Sequence, residues 1–134
     1  MRQCDESPPE ELLRAIGEFN RGDWFGCHET LEDLWVGEEG EMRDFYQGFL
    51  QMTVALHHWR EGNFGGALRL LEGGAKYLRR VRPLCQGVDA AGLAISADRL
   101  REALIRLGPA RMAELDQGLI PFLALSVTIS DKGE

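Results

Sequence analysis

Two copies of one short pattern, forty residues apart, constrain the fold of this chain more than any other feature of its sequence. Residues 19–27 read FNRGDWFGC and residues 59–67 read WREGNFGGA. In both copies an aromatic residue ends one helix, a glycine turns the chain, and Asp23 or Asn63 caps the next helix. A small residue then lets the two helices approach closely. The pattern therefore predicts two helical hairpins.

Further start and stop signals divide the chain into five or six helices. Ser7 and Glu10 have the spacing of a capping box, Asp89 can cap a later helix, and Pro83 and Pro109 interrupt helices. A loop through Gly87 separates the fourth helix from the fifth. The signals predict helices at about residues 8–20, 24–36, 41–61, 64–82, 90–107 and 109–117.

These elements predict a single all-α domain over residues 1–134, a compact bundle of five to six helices. Its two hairpins resemble those of tetratricopeptide repeats, but two copies are too few for an extended solenoid. The glycines at 73 and 74 favour close helix packing over a phosphate loop, because no strand precedes them. Pro121 interrupts an apolar tail, so we expect residues 119–134 to be extended on the bundle or partly disordered.

Composition and cysteine spacing limit the classes of partner and the cellular compartment that we expect. The net charge of −7 argues against binding to a nucleic-acid backbone. The longest apolar stretch, residues 119–127, is far shorter than the roughly 20 residues that a membrane-spanning helix needs. Cys4, Cys27 and Cys85 are widely spaced and form no C-x-x-C pair, so they predict neither a disulfide framework nor a zinc site. We therefore expect a cytoplasmic protein with reduced thiols.

Ionisable residues interrupt the apolar stripe of the second predicted helix. On a helical wheel Trp24, Leu31 and Trp35 lie within about 60° of His28, on the face that should be buried. Glu32 lies one turn further, only about 40° from His28. Two ionisable groups are thus predicted inside an apolar face.

The third predicted helix is apolar nearly all round, which indicates a central position. A polar seam nevertheless runs along it, and buried polar groups need partners because an unpaired one costs roughly 1–3 kcal/mol or more. We therefore predict a buried network between the second and third helices, with Arg43 or Glu29 at its mouth. Its members would be His28, Glu32, Gln47, Gln51 and either His57 or His58, of which the wheel favours His58.

The residues around these positions resemble the family called domain of unknown function 309. The resemblance rests on the motif H-E-x-L-E-x-x-W at residues 28–35 and Q-G-x-x-Q at residues 47–51, with further matches at His57, Asn63 and Ala67. It covers about residues 12–107, and Cys27 stands where the family more often has alanine. The resemblance implies a small all-helical protein and no established activity.

Two functions fit this sequence. The first is a non-catalytic helical module that binds an unidentified protein or small molecule, with the His/Glu/Gln network organising its interior and no cofactor. The alternative is a metal-dependent enzyme in which His28, Glu32 and either His57 or His58, with His58 preferred, hold a divalent transition metal. We favour the first, because imidazole, carboxylate and amide groups can satisfy one another without an ion.

The partner classes follow from the same observations. We expect neither nucleic acid nor a membrane as partner, and a homodimer is left open. No nucleophile can be identified, so no catalytic residue is named. The candidate binding or network residues are His28, Glu29, Glu32, Trp35, Arg43, Gln47, Gln51, His57 and His58.

Overall fold

The computed structural model describes residues 2–126, and its regular structure is helical apart from two short strands. Helices account for most of these residues, as the caps and glycines predicted, and an all-α bundle is confirmed. An antiparallel hairpin joins the fourth and fifth helices, where the sequence predicts a loop, and each of its strands has two residues. The elements are α1 (Glu10–Asn20), α2 (Trp24–Trp35), α3 (Gly40–Arg60), α4 (Phe64–Leu78), β1 (Leu84–Cys85), β2 (Val88–Asp89), α5 (Ala90–Leu107) and two 3-10 helices (Pro109–Glu114 and Gln117–Leu119).

Each α-helix packs against the next one along the chain, and α3 lies between α2 and α4. This central position of α3 is the one that its all-round apolar character predicted. It supplies five of the twelve largest fully buried side chains. Those twelve are Leu12, Phe19, Leu31, Phe45, Tyr46, Phe49, Met52, Leu56, Leu71, Leu78, Leu93 and Leu100.

The repeated pattern of the sequence is repeated in the backbone. Gly22 and Gly62 have φ of +79° and +81°, a left-handed conformation that glycine adopts without strain. The Asp23 carboxylate accepts a hydrogen bond from the amide of Gly26 at 3.1 Å, and the Asn63 side chain accepts the equivalent bond at 2.9 Å. The two helical turns are therefore built alike, whereas the closer likeness to tetratricopeptide repeats stays a prediction.

Helices α3 and α4 cross with their backbones in close contact. A Cβ atom added to Gly48 would lie 3.0 Å from the carbonyl oxygen of Gly74 and 2.7 Å from Cγ of Leu78. A Cβ added to Gly74 would lie 3.0 Å from the carbonyl oxygen of Gly48. The prediction of close helix packing at Gly74 is thus confirmed, and its partner is a glycine of the Q-G-x-x-Q motif.

Two predicted helix boundaries are wrong. The N-cap of α1 is Pro9 and no side chain caps it, so Ser7 and Glu10 do not form a capping box. Helix α4 ends at Leu78 rather than near residue 82, because the chain turns there into β1. The segment 120–126 lies on the bundle without regular structure, and the remainder of the predicted tail, residues 127–134, is outside the described residues.

The expectation of three reduced cysteines is also wrong. Cys4 and Cys85 form a buried disulfide across 81 positions of sequence, with their Cα atoms 4.1 Å apart. Next to it, the amide of Gln86 donates to the carbonyl of Cys4 at 2.6 Å, and the Tyr46 hydroxyl donates to the side chain of Gln86 at 2.8 Å. Spacing could not reveal this pair, since the fold alone brings the N-terminal segment to the hairpin.

Within the described part of the chain, none of the helices combines the length and the apolar character that a membrane crossing requires.

Candidate functional site

The ionisable residues of α2 point out of the bundle rather than into it. The side chain of His28 is 29% exposed and that of Glu32 is 56% exposed, and Glu29 is exposed as well. Among residues 2–126 the buried polar side chains are Thr30, Glu38, Thr53 and Gln86, none of which belongs to the predicted network. The prediction of a buried His/Glu/Gln network is therefore wrong.

The polar residues of α3 explain the error, because some of them face α2 and others face α4. Val54 and His57 line a pocket together with residues of α2. Gln51 instead lies against Gly73 of α4, where its side-chain oxygen is buried without a hydrogen-bond partner in the described structure. His58 contacts Asn63 at the start of α4, with 3.3 Å between Nδ1 and Nδ2. Of the two adjacent histidines it is thus His57, not His58, that lies beside His28.

A small apolar pocket opens between α2 and α3 at this place. It has a volume of about 120 Å³ and is lined by Trp24, Phe25, His28, Val54 and His57. The Phe25 ring stands between the two imidazoles, with its centroid 6.2 Å from each. Phe25 is 58% exposed, so its ring forms an open edge of the pocket. We call these five residues the α2–α3 pocket.

At the other end of the interface between α2 and α3, an arginine stacks on a tryptophan. The guanidinium of Arg43 lies 4.0 Å above the ring of Trp35, and it donates to the carbonyl of Glu38 at 3.2 Å. Trp35 is half-buried, and Gln47 is half-buried one turn along α3 from Arg43. Glu38 is itself buried and pairs with Arg2 at 3.0 Å. These contacts connect α2 with the start of α3 and leave the α2–α3 pocket open.

A known protein family matches the part of the chain that contains α2 and α3. The family model described as "Domain of unknown function (DUF309)" matches residues 12–70, which include α1, α2, α3 and the start of α4. Residues 12–70 match this model, and we call them the DUF309 region. The recognition of this family is confirmed over those residues, and its extension to about residue 107 stays a prediction.

Two curated relatives are similar to part of this chain. The uncharacterized protein YpuF of Bacillus subtilis (strain 168) is 40% identical over 73 residues, which cover 53% of this chain and 42% of YpuF. An uncharacterized protein of Aquifex aeolicus (strain VF5) is 36% identical over 55 residues, 40% of this chain and 16% of that protein. The matched region is thus less than half of either relative.

The candidate metal ligands of the DUF309 region do not come together. The His28 Nε2 and Glu32 Oε2 atoms are 4.0 Å apart, whereas His58 lies on the α4 side of α3. Burial lowers the pKa of His58, and the neighbouring His57 and Arg69 lower it further. Between residues 2 and 126, no three side chains of His, Cys, Asp or Glu are grouped so that they could hold a metal ion.

Three lining residues of the α2–α3 pocket, Trp24, Phe25 and Val54, were not predicted as site residues. The sequence contains a signal for Phe25, because it follows Trp24 on a helix and adjacent helical residues diverge by about 100°. On a helix with one buried face the two rings point in different directions, and the structure buries Trp24 and exposes Phe25. Val54 carries no such signal, since an apolar residue on an apolar helix is expected in the core.

A first prediction follows from the exposure of His28. We expect His28→Ala to change the free energy of unfolding by no more than about 1 kcal/mol, because the imidazole is partly solvated and forms no hydrogen bond within the described residues. Urea unfolding of both proteins measures this difference. A loss of several kcal/mol would show instead that a buried partner depends on the imidazole.

Proposed function

We propose that the DUF309 region is a non-catalytic binding module, and that its α2–α3 pocket receives an apolar side chain from a segment of a partner protein. The observation that carries this proposal is an apolar pocket at the surface, bordered by an exposed phenyl ring and two imidazoles. A cavity of about 150 Å³ accommodates benzene, so a pocket of about 120 Å³ suits one aliphatic or small aromatic side chain.

The charges around the pocket specify what should flank that side chain. Helix α2 exposes Glu29, Glu32 and Asp33 between the apolar residues Phe25 and Val36. The five residues recur at helical spacing and so share one outer face of α2. A segment that carries lysine or arginine next to its apolar anchor is complementary to this acidic face. We therefore expect a basic, amphipathic partner segment.

The geometry favours binding over acid–base catalysis. The 4.0 Å between Nε2 of His28 and Oε2 of Glu32 is too long for a hydrogen bond. Glu32 therefore does not orient the imidazole as the third member of a catalytic arrangement would. The metal-dependent alternative stays a prediction and receives no support here, because His58 lies on the side of α3 away from His28 and Glu32, and no group of three ligands forms among residues 2–126.

The cytoplasm stays a prediction outside this proposal, because the disulfide between Cys4 and Cys85 favours an oxidising compartment, whereas cytosolic thiols are usually kept reduced. Nucleic acid is left out of the proposal on account of the net charge of −7. A homodimer through this face is an outcome that the experiment below also detects.

The test is a selection of displayed random peptides on the full chain, with counter-selection on the variant Phe25→Asp. We expect recovered peptides to combine an aromatic or aliphatic residue with neighbouring lysine or arginine. Their affinity for Phe25→Asp should fall by about tenfold or more, because burying one apolar side chain contributes about 1.5–3 kcal/mol. Sedimentation of the protein alone would reveal self-association that occupies the face.

The matched control is Phe122→Asp. Phe122 is the other strongly exposed phenylalanine, at 76%, and it does not line the α2–α3 pocket. Peptides selected on the wild type should bind this variant unchanged. If no peptide is enriched, or if the selected peptides bind wild type and Phe25→Asp equally, the proposed function is wrong.

A further inference from the structure

A second, larger cleft lies at the end of the bundle where the α1–α2 turn meets the end of α3. It has a volume of about 570 Å³, within the range typical of small-molecule sites. Its walls include Asn20, Arg21, Trp24, Trp59, Arg60 and Phe122. We call it the arginine cleft. Trp24 separates it from the α2–α3 pocket, since its ring lines both.

Two arginines in this cleft carry positive charge that no nearby carboxylate neutralises. Within residues 2–126, six other arginines lie within 4.0 Å of an aspartate or glutamate: Arg2, Arg79, Arg80, Arg82, Arg101 and Arg111. Arg21 and Arg60 form no such pair in that part of the chain, as is also true of Arg14, Arg43, Arg69, Arg99 and Arg106, but only Arg21 and Arg60 line this cleft. The cleft is therefore a positive site on an acidic protein.

Arg60 is held in place while most of its hydrogen-bonding capacity stays free. Its guanidinium lies 3.8 Å above the ring of Trp24, and Nη2 donates to the carbonyl of Gly22 at 2.6 Å. A guanidinium has five N–H donors, and this bond uses one. Arginines at the C-terminal ends of α1 and α3 also interact favourably with the helix dipoles. That interaction does not explain why Arg60 stacks on Trp24 or why both arginines line a cleft.

The opposite wall is anchored and presents an aromatic ring. The side chain of Asn20 donates to the carbonyl of Leu123 at 2.9 Å and accepts from its amide at 2.8 Å. Trp59 donates from Nε1 to the carbonyl of Met112 at 2.7 Å, which ties α3 to the first 3-10 helix. Beside these bonds Phe122 remains 76% exposed. A fixed wall thus holds an apolar ring at the mouth of a positive cleft.

We infer that the arginine cleft binds a small molecule in which a planar aromatic ring is joined to an anionic group. The anion would accept hydrogen bonds from Arg21 and Arg60, in the charge-assisted geometry that guanidinium groups offer to phosphates and carboxylates. The ring would pack against Phe122 and Trp59. This site is separate from the α2–α3 pocket, and the inference does not depend on the proposed function.

Calorimetric titration of the full chain tests the inference with four probes: adenosine monophosphate, indoleacetate, adenosine and inorganic phosphate. We expect at least one of the two ring-bearing anions to bind, and to bind more tightly than adenosine or phosphate alone. Whichever anion binds shows whether the site takes a phosphate or a carboxylate. The double variant Arg21→Gln/Arg60→Gln should weaken that binding by about tenfold or more.

A matched control and a second variant keep the result specific. Arg106→Gln removes an exposed arginine of α5 that does not line the cleft, and it should leave the affinity unchanged. Phe122→Ala, on a segment that Asn20 anchors through backbone atoms, should weaken only the ring-bearing probes. Binding of phosphate alone as tightly as the ring-bearing anions would overturn the inference. So would an absence of binding of both anions at about 1 mM, or equal binding to the double variant.

Discussion

Reduction of the disulfide between Cys4 and Cys85 will lower the free energy of unfolding by about 4 kcal/mol. The bond closes a loop across 81 positions, and a cross-link over a loop of that length restricts the unfolded chain strongly. We expect no compensating gain in the folded state. Both cysteines are buried, and the hydrogen bonds of Gln86 depend on the contact between the N-terminal segment and the hairpin. Urea unfolding with and without reductant measures the difference.

The control for this experiment is the double variant Cys4→Ser/Cys85→Ser, whose stability should not respond to reductant. In the folded protein the third cysteine, Cys27, does not attack the disulfide, because burial raises the pKa of its thiol to about 12 and keeps it protonated. Denatured, unreduced wild type should contain one reactive thiol, that of Cys27. Three reactive thiols, together with no effect of reductant, would show that the disulfide does not form.

Gly48→Val will destabilise the protein by about 3 kcal/mol. Any Cβ at this position meets the backbone of α4 at Gly74 and Leu78, and backbone atoms cannot move aside as the end of a side chain can. A branched side chain adds further methyl groups to the same crossing. Thermal or urea unfolding of the variant measures the loss.

The matched control is Gly65→Ala on α4. A Cβ there meets nothing within 4 Å, so the substitution should leave stability unchanged or raise it by up to about 1 kcal/mol through helix propensity. A Gly48→Val variant as stable as the wild type would mean that α3 and α4 do not cross as closely as their glycines indicate.

The helices were predictable because their signals are local. Asp23, Asn63 and Asp89 each cap a helix as predicted, and each accepts a hydrogen bond from an amide three residues later. The start of α1 was less predictable, since its N-cap is Pro9 and no side chain caps the helix. The short hairpin was missed because two-residue strands carry no periodicity.

The candidate site was predicted only in part. The motif residues drew attention to α2 and α3, and His28 and His57 do line one pocket. Their predicted burial was wrong, and Gln51 and His58 lie on the other side of α3. The wheel places residues relative to one another on a single helix, but it cannot assign directions to a helix that is apolar nearly all round.

The sequence by itself determined that this chain forms helices, where most of them begin, and that α3 lies at the centre. It did so because caps, glycine turns and apolar periodicity act over a few residues. Only the tertiary structure decided which neighbour each side of α3 faces, that Cys4 meets Cys85, and that His28 is partly exposed and Glu32 exposed. These outcomes depend on contacts between distant segments, and such contacts are set by packing of the whole bundle rather than by local pattern.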